Sequence, residues 1–141
     1  MFTYSLNSIL EYKRRLEDLQ KQGLASLEKQ HLIEDQAVDN LRNTLDRCGL
    51  LPDNGWDYQR LVEYWEHLIE DIDRCNRRVY QLEQQVKAKK QEVVQAAIDR
   101  RKFELHREKK CSIYNQEQAR KEQIELDELG CMAYLRQQGG D

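Results

Sequence analysis

The sequence predicts an all-α protein: an antiparallel two-helix coiled-coil hairpin with unequal helices, the second of them longer. Three observations predict it. Charged residues make up 35% of the 141 and proline occurs once, mean hydropathy is -0.95, and Glu, Lys, Arg, Gln and Leu dominate. That is the composition of long helices buried along a narrow seam, not of a thick core. Apolar residues recur in steps of three and four over much of the chain, which is the seam of a left-handed coiled coil. One strong break stands between two periodic stretches, Gly49-Leu-Leu-Pro-Asp-Asn-Gly55, where a glycine and then a proline stop a helix. Disorder competes for so polar a chain, and the regular apolar spacing decides against it.

The first helix is expected over about residues 4–48. Val38, Leu41, Leu45 and Cys48 fit the heptad well, and Leu6, Ile9, Leu16 and Leu27 fit loosely. Gly23 costs roughly 1 kcal/mol against alanine at an exposed helix site, so it marks a bend or a close approach of the partner helix. The loop is expected over 49–56. Asp57 is placed to cap the second helix, with Trp56 and Leu61 at the positions of a hydrophobic staple. The second helix is expected over about 57–136. It carries the clearest signal: Leu61, Trp65, Leu68, Ile72, Cys75, Val79, Leu82 and Val86, then an interruption at Lys89, then Val93 and Ala96. Residues 137–141 read as a loose tail of one single-domain hairpin.

A short loop makes the two helices antiparallel neighbours. Folding the chain about residues 52–53 sets Leu45 near Leu61, Leu41 near Trp65, Leu27 near Val79 and Phe2 near Phe103. The second helix then outruns the first by roughly 33 residues, or about 50 Å. A lone helix of that length is marginal in water, so the overhang is expected to dock into a partner or into a second copy of the chain.

The formal charge is -3, which calls for neither nucleic acid nor an anionic membrane. Locally the charge is uneven. Residues 53–75 carry seven acids and two bases, residues 87–110 nine bases and four acids, and residues 115–141 six acids and three bases. The bases between Lys87 and Lys110 are interleaved with Glu92, Asp99, Glu104 and Glu108 and lack aromatic stacking surface, which argues against nucleic-acid binding. No bulky apolar face opposes them, as a membrane-surface helix needs. No apolar run approaches the roughly 20 residues of a bilayer span, so no direct membrane insertion is expected. The stretch from Phe2 to Leu10 is too short and too polar for a secretory leader. Cys48, Cys75, Cys111 and Cys131 stand far apart with no zinc spacing, and read as reduced thiols.

Catalysis has little support. The glycines form no phosphate-binding loop. His31, His67 and His106 are isolated on charged faces, and the many carboxylates have no cleft to shift their pKa values. No enzyme activity, cofactor, catalytic residue or metal site is expected. A binding role is better supported. Tyr58, Tyr64 and Trp65 stand with Leu61 and Leu68 near the loop end, and such aromatics dominate interface hot spots. Trp65 also has a place in the seam.

The two termini add a family likeness. The chain opens with Phe2-x-Tyr4-x-Leu6 and continues with Leu10, Tyr12, Lys13 and Glu17. A basic, Glu-rich stretch follows towards the end, with Arg101, Glu104, Tyr114, Glu117, Arg120 and Glu122 leading to Leu126-Asp127-Glu128, then Tyr134 and Arg136. Over its whole length the chain resembles the FliJ family of flagellar protein-export components. Gly130-Cys131 departs from the alanine-rich helix common there. The resemblance implies an unequal hairpin similar to the shaft of rotary ATPases, monomeric when free. It implies a cytoplasmic protein, peripheral at the cytoplasmic face of the inner-membrane export apparatus. Its partners there are the hexameric flagellar export ATPase, whose assembly it promotes, an export gate protein and export chaperones.

On this reading Phe2, Tyr4 and Leu6 face the ATPase ring together with Arg101, Lys102, Glu104 and Arg107. Further along the same helix, Tyr114, Glu117, Arg120, Asp127 and Glu128 extend that surface. Tyr58, Leu61, Tyr64, Trp65 and Leu68 are assigned to the export gate. The stalk proteins of virulence-type secretion systems share this pattern, and a generic coiled-coil chaperone or scaffold is the other reading.

Overall fold

The computed structural model describes residues 1–48 and 55–140, with the backbone alone at 55–57. Two helices form the fold, α1 over Asn7–Arg47 and α2 over Gly55–Gly139. They pack against each other, and no strand occurs among the described residues. The expected loop, the Trp56 staple and the Asp57 side-chain cap lie outside the described residues.

The helix ends differ from expectation by a few residues. α1 begins later because the Tyr4 carbonyl accepts the Asn7 N–H at 3.2 Å, closing a tight turn before the first helical bond, Leu10 N–H to Leu6 carbonyl at 3.0 Å. Tyr4 is thereby left outside the helix with its side chain buried. α2 runs to Gly139 instead of about residue 136, and Gln138 Nε2 donates to the Tyr134 hydroxyl one turn back, at 2.7 Å.

The seam of α2 follows the sequence closely. Every residue from Leu61 to Val86 in the expected heptad is buried or half-buried, and only Val62 and Asp71 among the residues between are not fully exposed. Lys89, Val93 and Ala96 continue the same line, half-buried. The seam of α1 is more regular in space than in chemistry. Positions 10, 13, 17, 20, 24, 27, 31, 34, 38, 41, 45 and 48 step by three and four without a break, and each is buried or half-buried. Five of them are polar: Lys13, Glu17, Gln20, His31 and Glu34. Polar residues at seam positions cost stability and specify register, and they hide the heptad from an apolar count. Ile9, which fitted the heptad loosely, is 39% exposed, while its neighbour Leu10 is 0% exposed and takes the core position.

Contacts divide the chain into two units, residues 1–14 with 98–141 and residues 15–97. In the second unit the helices run antiparallel. A Cβ on Gly23 would meet Lys89 Cε at 2.8 Å, His31 Nε2 lies 3.4 Å from Glu83, and Arg78 lies 3.9 Å from Glu34. These partners lie about two turns further along α2 than folding about residues 52–53 implies. The expected neighbours Leu27–Val79, Leu41–Trp65 and Leu45–Leu61 are therefore out of register. The physical reason is that the register follows the meshing of the two seams, in which the flexible end of the Lys89 stem lies over Gly23, and not the midpoint of the loop.

The first unit carries a shift in the same direction, larger by about one turn. The Phe2 ring meets Tyr114, with centroids 5.6 Å apart and planes at 50°, not Phe103. The amino-terminal segment therefore covers α2 as far as Tyr114, and Gln118 is the last half-buried residue. From residue 119 to 140 every side chain is exposed. The uncovered stretch is shorter than the roughly 33 residues expected, by about three turns.

Candidate protein-binding surfaces

The first unit is closed by side chains far apart in sequence. Tyr4 packs its ring on His106, centroids 5.6 Å apart, and its hydroxyl shares a hydrogen bond of 2.6 Å with His106 Nδ1. The direction of that bond follows the imidazole tautomer. Beside it Glu104 gathers three arginines. Arg100 donates to Oε2 at 2.7 Å, Arg101 to the same oxygen at 3.4 Å, and Arg14 to Oε1 at 3.4 Å. The Glu104 side chain is about one-fifth exposed (19%). The Arg100 hydrogen bond, with help from its charge and from Arg101 and Arg14, holds the Glu104 carboxyl below the usual carboxylate range against a partial desolvation that opposes it. Arg101 also reaches Glu108 at 3.3 Å.

The residues assigned to the ATPase ring thus fall into two sets. Phe2, Tyr4, Arg101, Glu104 and Tyr114 are engaged with one another or with α1 and α2 neighbours, and Leu6 is half-buried at the helix start. Lys102, Arg107, Glu117, Arg120 and Glu128 are exposed and make no ion pair among the described residues. Asp127 is exposed and accepts a hydrogen bond from Gln123 at 2.9 Å. Sequence reading missed Arg14, Arg100 and His106 as members of this closure. The spacing of Arg100 and Glu104 is a helical ion-pair signal, whereas nothing local links Tyr4 to His106.

The loop-end set lies in the second unit and splits in the same way. Tyr58 and Tyr64 are exposed, Leu61 and Trp65 are half-buried, and Leu68 is in the core. The Trp65 indole nitrogen is buried with no acceptor among the described residues. Leu68 can influence binding only through the fold, so Tyr58 and Tyr64 are the side chains here with free surface.

The grooves along the helices are shallow and lined by mixed charged and apolar side chains, for instance Glu28, His31, Glu83, Val86, Lys87 and Lys90. Among the described residues, no cluster of three or more His, Cys, Asp or Glu could hold a metal ion. No helix is long and apolar enough to cross a membrane. The four cysteines are free thiols.

The sequence that forms these two unequal helices matches a known family across nearly its full length. The family model described as Flagellar FliJ protein covers residues 2–139. The chain belongs to the FliJ family. It is therefore a coiled-coil protein related to flagellar protein export. No curated protein and no solved structure matches it. The FliJ match includes both the amino-terminal aromatic segment and the exposed end of α2, the regions that carried the likeness in the sequence.

Proposed function

We propose that this FliJ-family chain acts as a stalk for the hexameric flagellar export ATPase and connects it to the export gate and to export chaperones. One observation carries the reading: α2 continues from residue 119 to 139 with every residue exposed. An isolated helix of this length is marginal in water, and its apolar residues include Ile124, Leu126, Leu129 and Leu135. A helix that stays helical without a partner of its own is suited to entering one supplied by another protein. The ring-facing side chains on this reading are the free ones, Lys102, Arg107, Glu117, Arg120 and Glu128, while the Tyr4 and Glu104 contacts hold the unit together.

The test is the activity of the purified cognate export ATPase with and without this chain. Stimulation that saturates near a single copy per hexamer supports the stalk. No stimulation, with an ATPase shown to form hexamers, returns the function to chaperone or scaffold.

A further inference from the structure

Charge on α2 is sorted by face as well as by segment. Successive helical residues turn by about 100°, so each side chain of the first unit can be placed on an arc. Ile98, Lys102, Leu105, Lys109, Ile113 and Arg120 fall within an arc of ~140° that points away from the seam. Between residues 98 and 124 this arc holds no carboxylate. Its remaining members are Arg101, His106, Ser112, Gln116, Ala119, Gln123 and Ile124. The acids of the same stretch stand at its edges or beyond: Glu108 on one side, Asp99 and Glu117 on the other, Glu122 further round, and Glu104 turned into its arginine cluster. The apolar members are open, with Ile98 44%, Leu105 49% and Ile113 41% exposed. Lys102, Lys109 and Arg120 make no ion pair among the described residues.

A solvated helix face usually mixes both signs in neighbouring pairs. Here the ion pairs gather on the inner side and the edges, where Glu104 and Glu108 engage Arg14, Arg100 and Arg101, while Lys102, Lys109 and Arg120 on the outer side keep unopposed charge beside isolated aliphatic groups. We infer that this outer face of α2 is a docking surface for an acidic protein surface that also offers apolar contacts, such as a carboxylate-lined groove or an acidic amphipathic helix. Charge complementarity selects the occupant: unopposed bases steer and orient an anionic partner, and Ile98, Leu105 and Ile113 supply small apolar anchors between them. The aliphatic groups are too few and too far apart to embed in lipid. The proposal rests on the stalk reading for its partner and assigns the face through which the ATPase ring is met.

The experiment measures binding of the full-length chain to the purified hexameric ATPase at low and at physiological salt. Lys102→Glu/Lys109→Glu/Arg120→Glu is compared with Lys87→Glu/Lys90→Glu, a control in the second unit. The charge-neutral Lys102→Gln/Lys109→Gln/Arg120→Gln guards against a folding defect, checked by helicity and urea midpoint. The expected result is about tenfold or greater weakening by the outer-face reversal, a smaller loss with the neutral variant, a flattened salt dependence in both, and no change in the control. Equal loss in the control, or full affinity of both outer-face variants, overturns the proposal and leaves the stalk reading intact. No binding by the wild-type chain overturns both. Vesicles of phosphatidylcholine and phosphatidylglycerol serve as a second probe. Binding to them that the outer-face reversal abolishes, with ATPase binding unaffected, makes the face a lipid surface and also overturns the proposal.

Discussion

Glu104 is the residue on which three arginines of the first unit converge. Its carboxylate accepts from Arg100, Arg101 and Arg14, and the third of these ties α1 to α2. Because the folded carboxyl titrates below its usual range, its contribution to stability is fully present above the unfolded value and is lost as pH falls through the folded one. Glu104→Gln keeps the shape and removes the charge. Partly exposed pairs contribute little each, so the variant is expected to lose roughly 0.5–1 kcal/mol at neutral pH. It should also show a flatter decline of stability on acidification below the usual carboxylate range. Urea melts at a series of pH values read both effects; parallel acid profiles for wild type and variant would refute the assignment. At Gly23 a Cβ would meet the flexible end of the Lys89 stem at 2.8 Å, so a small side chain there is accommodated once that stem swings aside.

Each helix keeps a heptad, and the two keep it by different chemistry. α2 presents an apolar line that any reading of spacing finds. α1 presents Lys13, Glu17, Gln20, His31 and Glu34 along the same geometric line, with Glu17 buried and ion-paired to Lys21 at 3.0 Å. Burial therefore concentrates at a few apolar points, of which Leu10 is the most complete. Leu10→Ala is expected to lose about 2–4 kcal/mol, since it deletes a fully buried side chain. Leu126→Ala, on the exposed end of α2, should change stability by less than about 0.5 kcal/mol. Thermal melts followed by circular dichroism compare the two. A large cost at Leu126 would mean that the end of α2 is covered, by a second copy or by its own chain.

At the scale of the whole molecule, the two candidate binding surfaces belong to different units. Tyr58 and Tyr64 lie in the one formed by residues 15–97, and Lys102, Lys109 and Arg120 in the one formed by 1–14 and 98–141. If the gate is met through the aromatic set, Tyr64→Ala should reduce gate binding several-fold, as expected of an exposed aromatic anchor, and leave ATPase stimulation unchanged. Trp65→Ala cannot separate the two, because Trp65 is half-buried in the seam. Loss of ATPase stimulation in Tyr64→Ala, or unaltered gate binding, removes Tyr64 from the gate surface.

The sequence by itself determined the two helices, their unequal lengths, the seam of α2 and the family. Each of these is local: periodicity, a Gly-Pro break and short end motifs are read without knowing what lies opposite. The register was decided by tertiary structure, because it depends on how the seam residues of the two helices mesh, polar ones included, and not on the length of the connection between them. The seam of α1 was decided there too, since polar side chains take core positions only when a facing helix shields their stems. The same holds for the candidate surfaces. Sequence placed Tyr4, Arg101 and Glu104 beside Lys102 and Arg120 as equals. Packing engaged the first three, Tyr4 with His106, Glu104 with Arg14 and Arg100, and Arg101 with Glu104 and Glu108, leaving the last two free, because a charge has no face until its neighbours across the helix pair are fixed.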